Sequence, residues 1–242
     1  MTATLYTRYE VARTFRNYRF LIFSVVFPVV LYLLIAGPNK DVKIQHLPFT
    51  LYLMTGMVAW GTMAAVLASG VRIADDRALG WGRQLRITPL STRTYIGTKV
   101  LSGYVMAFVS IAVLYSVGTL LGVRLSAGEW LTMTGLILVG LIPFAAMGLV
   151  LGHLISVDSM GPALGGITSL FAVLGGSWGP IATSGALRDL VELLPSYWLV
   201  QAGKVGLGER AWPLKAWIVI AVWTVVMARL AIWAYRRDTG RT

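Results

Sequence analysis

Residues 100–123 read VLSGYVMAFVSIAVLYSVGTLLGV, twenty-four residues without a charge, bounded by Lys99 and Arg124. A helix of that length rises about 36 Å, enough to cross the roughly 30 Å hydrocarbon core of a bilayer. Working outward, the same pattern recurs. Uncharged gaps of 20, 28, 28 and 29 residues separate Arg19 from Lys40, Lys43 from Arg72, Glu129 from Asp158, and Asp158 from Arg188. A further stretch, 216–235, is apolar apart from Arg229. Backbone surrounded by lipid must satisfy its hydrogen bonds within its own segment, and these runs far exceed the roughly ten residues of a barrel strand. Helices are the remaining choice.

Composition agrees. Of 242 residues, 57% are hydrophobic and 13% charged, against about 25% charged in an ordinary soluble domain. A soluble enzyme and a disordered chain are excluded on that ground. The absence of cysteine excludes thiol chemistry, cysteine-ligated metals and a disulfide-stapled secreted fold.

The sequence therefore predicts one all-α, polytopic membrane domain over residues 1–242. Its six spans are expected near Phe20–Gly37, Leu51–Ile73, Val100–Val123, Leu131–Ile155, Met160–Pro180 and Leu214–Tyr235. An even number places both termini on one side. Thirteen basic residues then share the termini's side and seven lie opposite, so the positive-inside rule makes the termini cytoplasmic in a bacterial-type inner membrane. Basic residues split between two faces suit lipid headgroups and not nucleic acid.

Within this plan the N-terminal arm reads as a retained anchor, with four arginines before the first apolar run and no small-x-small cleavage site after it. Val11, Phe15 and Tyr18 share a helical face, which predicts an interfacial helix on the inner leaflet. Pro28 and Pro143 fall inside apolar runs and are expected to kink them. Gly118/Gly122, Gly148/Gly152 and Gly161/Gly165 allow close helix approach, within the chain or between copies. Arg229 lies about 10 Å by helical rise from Arg236 and can snorkel to the interface. His153 reads as a packed or headgroup-contacting side chain.

Two segments outside the spans carry more information. Asp75-Asp76-Arg77 opens, and Arg83-Gln84-Leu85-Arg86-Ile87-Thr88-Pro89 closes, the longest inner loop. Acid before base complements the dipole of a short helix, and Pro89 must end it. Ser91 or Thr92 can cap the next span. On the other face, Leu187, Leu190, Val191 and Leu194 recur at helical spacing, which predicts a short re-entrant or interfacial helix. Pro195, Tyr197, Trp198 and Trp212 are placed with it at the outer interface.

The loop pattern Asp76-Arg77-x-x-Gly80-x-x-Arg83-x-Leu85-Arg86-x-Thr88-Pro89-Leu90-Ser91 resembles the cytoplasmic signature of ABC transporter permeases of the type-2 export class. Ala78 and Trp81 depart from it, standing where that signature has Glu and Thr. The resemblance implies a coupling helix built from Asp76, Arg77, Gly80, Arg83, Leu85, Arg86, Thr88 and Pro89, docked on a separate ATPase subunit. No Gly-x-x-x-x-Gly-Lys-Ser/Thr phosphate loop occurs in this chain. By the resemblance the chain is no enzyme by itself and holds no cofactor. ATP and magnesium would sit on two copies of that ATPase, and a second permease copy or a paralogue would complete a dimer.

The Leu-Arg-x-Thr-Pro form leans toward the branch exporting drugs, antibiotics and lipids. Export of polysaccharide or lipid-linked polymer is the alternative within the class. An uncharged interior suits apolar or amphiphilic cargo, and Met54, Met57, Trp60, Phe171 and Trp178 are the candidate lining residues, with ordinary helix packing as their other use. A different class, an intramembrane serine hydrolase, would need Ser177 and His153 within hydrogen-bond reach. The topology puts them at opposite faces.

Overall fold

The computed structural model describes residues 3–44, 47–80, 91–179, 185–205 and 212–239. In chain order its elements begin with α1 (Ala3–Phe15), α2 (Tyr18–Leu21), a π-helical turn (Ile22–Val26), α3 (Phe27–Ala36), and a two-residue hairpin, β1 (Lys43–Ile44) and β2 (Leu47–Pro48). Then come α4 (Phe49–Leu67), α5 (Ser69–Ala78), α6 (Thr92–Leu120), α7 (Ala127–Gly140), α8 (Ile142–Leu154) and α9 (Val157–Gly175). Last are α10 (Ala186–Val191), α11 (Pro195–Val205) and α12 (Leu214–Thr239).

Among the described residues, five stretches are long and apolar enough to cross a membrane: Phe49–Ala78, Thr92–Leu120, Ala127–Leu154, Val157–Gly175 and Leu214–Asp238. Where the sequence places the first span, the structure has a composite whose apolar helix, Ile22–Ala36, is shorter than these five. Pro28 is the reason it is not one regular helix. Proline has no N–H to offer the carbonyl of residue 24. The Ser110 hydroxyl of α6 donates to that carbonyl instead, at 3.0 Å, and the π-helical turn lies just before the proline. Pro143 marks a second interruption. The fourth span breaks at Leu141 into α7 and α8, and the Tyr104 hydroxyl donates to the nearby Leu138 carbonyl at 3.1 Å.

Several helix ends differ from the sequence expectation, because hydropathy marks only the uncharged part of a helix. The second span continues past Ile73 to Ala78 after a break at Ala68. Asp75, Asp76 and Arg77 therefore close a long helix and do not open a short one. The third begins at Thr92, eight residues early, and the Ser91 hydroxyl caps it by accepting the Thr94 N–H at 3.2 Å. The fourth starts at Ala127 with a reciprocal cap between Ser126 and Glu129. The fifth ends at Gly175, where Gly176 turns left-handed at φ +80°.

The α4–α5 unit is the axis of the bundle: 89% of its apolar window is buried, against 17% for α9. Small residues allow this. A Cβ on Gly152 would lie 2.6 Å from the Gly70 carbonyl, and one on Gly148 would lie 3.0 Å from that of Leu67. The Gly148/Gly152 pair thus serves packing within the chain. Gly161 and Gly165 face open space. At the far end, α11 packs against α4, α7 and α9. Trp198 and Trp212 are buried there and not presented to headgroups. The Trp198 ring donates to the Glu192 carbonyl at 2.7 Å.

These contacts predict opposite results for two glycine substitutions. Gly70→Ala must displace the Gly148 backbone and is expected to cost about 1–3 kcal/mol. Gly161→Ala and Gly165→Ala are expected to be neutral or to stabilise by about 0.5–1 kcal/mol. Thermal unfolding in detergent checks the order.

Candidate functional site

The described residues contain few charges inside the bundle, and those few converge at one end of it. The Lys99 ammonium has no exposed surface. It stands 2.7 Å from Glu10 Oε1 on α1 and 2.6 Å from Asp76 Oδ2 on α5. Arg72 donates to the Glu10 carboxylate at 3.0 Å and to the Glu10 backbone carbonyl at 3.2 Å. Arg13 reaches Asp76 at 3.2 Å, and the Tyr95 hydroxyl donates to Asp76 at 3.0 Å. Thr7 and Thr98 join α1 to α6 beside them, their hydroxyls 3.0 Å apart.

Each member has a physical reason to be there. A buried ion must be paired, since desolvation costs several kcal/mol per charge. Asp76 lies in the last turn of α5, where the helix dipole disfavours an anion, and three donors offset that. Burial pushes the Glu10 carboxyl up, but Lys99 and Arg72 outweigh it and hold the group below the ordinary carboxylate range. Burial alone would lower Arg13, and Asp76 reverses that, so it sits above its usual value. Glu10 and Arg13, both on α1, are thus held in their charged forms at neutral pH.

Asp76 and Arg77 are consecutive, about 100° apart around the helix, so they serve different neighbours. Arg77 donates to Asp238 of α12 at 2.9 Å, to the Gly152 carbonyl at 3.1 Å and to that of Ile155 at 3.3 Å. The Thr92 hydroxyl lies 3.1 Å from that of Tyr235. The Tyr235 ring meets His153 edge-on at 5.5 Å, and His153 is packed with its Nδ1 2.8 Å from the Leu149 carbonyl.

Of the residues singled out from sequence, Asp76 and Arg77 are both committed to contacts within the chain. Gly80 follows, at φ +69°, a left-handed conformation that glycine adopts without strain. Arg83, Leu85, Arg86, Thr88 and Pro89 lie outside the described residues. The five candidate lining residues divide. Trp60 meets Trp178 edge-on at 5.4 Å and Phe27 at 5.3 Å. Phe171 packs elsewhere, on Phe144 and Trp223. Met54 and Met57 are fully buried, and Trp178 is 45% exposed. At the far end Pro195 is the first residue of α11, and Tyr197 stacks edge-on with Trp198 at 5.0 Å. Arg229 is exposed on α12.

The stripe of Val11, Phe15 and Tyr18 expected on the leaflet lies off the face that packs on the bundle. Phe15 and Tyr18 are exposed, while Tyr6, Glu10 and Thr14 face the bundle. Sequence reasoning missed Glu10, Tyr95 and Lys99. One signal was available: Glu10 is the sole acid among the four arginines of residues 1–19. Ser177 and His153 are held apart. Ser177 lies against Gly56, and Gly152, beside His153, lies against Gly70. Fourteen residues of α4–α5 separate those contacts, about 20 Å of helix.

Replacing Lys99 with Met leaves two buried carboxylates without their shared cation, and the expected cost is about 3–5 kcal/mol. Limited trypsin digestion checks it, since an α1 released from the bundle can unfold and be cut at Arg8, Arg13 and Arg16. The pH dependence has a definite sign. The Glu10 carboxyl is depressed in the folded protein, so its contribution is complete above the ordinary value of 4.5 and is lost as pH falls through the lower folded value. Protection of α1 is expected to hold from neutral pH down to that range and then fail. Glu10→Gln is expected to remove the acid step.

Comparison with known proteins gives two findings. A family model described as "ABC-2 family transporter protein" matches residues 42–233. The protein described as "Putative transport permease YvfS" from Bacillus subtilis (strain 168) is 29% identical over 209 residues, covering 85% of this chain and 82% of its own length.

Proposed function

The chain belongs to the ABC-2 family of transporter proteins, and on that premise we propose that it is the permease subunit of an ATP-driven exporter. A separate ATP-hydrolysing subunit, in two copies, binds the segment 79–91. A second permease copy or a paralogue completes the translocation path. ATP and magnesium are held by the partner. The cytoplasmic side is the one that carries the termini and thirteen basic residues.

One observation supports this reading above the others. The two flanks of the segment are bonded to each other and to α1. Asp76 stands before it and Tyr95 and Lys99 after it, joined at 3.0 and 2.6 Å, and Glu10 and Arg13 extend the same network to α1. A displacement imposed on residues 79–91 would move α1, α5 and α6 as one body. The energy for that displacement comes from nucleotide, because a docked segment with equal affinity for both states shifts neither.

The cargo is apolar or amphiphilic: a drug, an antibiotic or a lipid. Support comes from the interior of the spans. Beyond the ionic end, the bundle is lined by aromatic, methionine and aliphatic side chains. Trp60, Trp178 and Phe27 form a continuous aromatic edge that is partly exposed. Methionine and aromatic surfaces accept varied shapes.

Co-expression with the candidate ATPase tests the reading. The ATPase is expected to co-purify with the unaltered chain. Replacing Gly80, Leu85 or Arg86 with Glu is expected to abolish co-purification. Retained binding after all three changes overturns the assignment.

A further inference from the structure

The last helix is fastened at both ends, and by different partners. At one end Asp238 takes the Arg77 guanidinium at 2.9 Å and the Tyr235 hydroxyl lies 3.1 Å from that of Thr92. Arg77 and Thr92 lie on either side of the segment 79–91. At the other end Lys215 donates to Glu192 at 2.6 Å, and the Trp223 ring donates to the Leu193 carbonyl at 2.8 Å. Glu192 and Leu193 form the corner between α10 and α11. From that corner α11 enters the bundle, where Gly203 abuts Thr55 of α4 and Leu199 abuts Gly140 of α7.

Between its fastenings α12 contains neither proline nor glycine, the usual causes of a kink. It packs along α8, whose final carbonyls Arg77 also holds. From Lys215 to Asp238 it spans about 35 Å. An unbroken helix bonded to a moving root at one end and to a corner at the other transmits axial and rotational displacement between them.

We infer that α12 is a rigid rod coupling the root of the 79–91 segment to the α10–α11 corner at the opposite end of the bundle, with Arg77 and Asp238 as the positioning pair. This rests on the permease reading above. It adds a route that bypasses α1: the Asp76 side of the root drives α1 and α6, and the Arg77 side drives α8, α12 and the far-end helix α11. Exchange of nucleotide on the partner is then felt at residues 192–193 without any ligand there. The Arg77 contact belongs to the chain itself, so loss of Asp238 leaves the partner's docking site in place.

The natural absence of cysteine makes the test direct. Leu193→Cys places a single thiol at an exposed corner position (54%), and its rate of reaction with N-ethylmaleimide is followed in the complex with the ATPase, with and without ATP. ATP is expected to change that rate. Adding Asp238→Ala is expected to abolish the change while the ATPase still co-purifies and still hydrolyses ATP, and Asp238→Glu is expected to restore it. Tyr235→Phe, which keeps the ring on His153, is expected to reduce the change without abolishing it. A rate that responds to ATP equally in the Asp238→Ala protein overturns the rod, as does a rate indifferent to ATP when Asp238 is intact. Failure of the ATPase to co-purify with the unaltered chain is a different result and overturns the permease reading itself.

Discussion

An ammonium group with no exposed surface is stable only if its charge is met at close range, and Lys99 meets it with two carboxylates from two different helices. Neither carboxylate could occupy its place alone. Glu10 is buried on a helix that precedes the first span, and Asp76 is buried in the last turn of α5. Removing one member would strand the others in a medium that cannot solvate them. The three helices are therefore interdependent, and the position of α1 follows from an ionic requirement more than from its apolar face. The two flanks of the 79–91 segment inherit their fixed separation from the same group.

The remainder of the bundle is held by contacts that work without a hydrophobic drive between helices, since lipid is as apolar as the side chains it would replace. Close approach of backbones at Gly70, Gly148 and Gly152 supplies dispersion contacts around the central α4–α5 unit. Beside Pro28 the Ser110 hydroxyl of α6 donates to the Ser24 carbonyl that the proline cannot serve, and at the break before Pro143 the Tyr104 hydroxyl of α6 donates to the Leu138 carbonyl. In this way α6 gains two directional bonds to its neighbours. The bundle has a polar, ion-paired end and an aromatic middle, and α12 runs past both.

In a protein with so few charges, those inside the bundle concentrate at the root of the 79–91 segment. Asp76 and Arg77 illustrate the economy of this: adjacent in sequence, they face different sides of one helix and engage α1 and α6 on one side and α8 and α12 on the other. Both belong to the loop pattern of residues 76–91. Their contacts within the chain show that this part of the pattern serves the fold, by joining the segment's root to the rest of the bundle.

From the sequence alone came the class, the number and rough position of the apolar stretches, the role of Pro28 and Pro143 as interruptions, and a family resemblance carried by residues 76–91. All of these depend on local properties, such as the length of an uncharged run, the missing N–H of proline or a spaced motif, and local properties can be read along a chain. The partners of the charges could not. Lys99 and Glu10 are 89 residues apart, Arg77 and Asp238 are 161 apart, and each reads locally as a solvated or interfacial charge. The docked face of α1, the burial of Trp198 and the true ends of the second and third spans were likewise decided by tertiary structure. A charge, a ring or a helix end is stabilised by whatever the fold brings beside it, and a one-dimensional pattern does not hold that information.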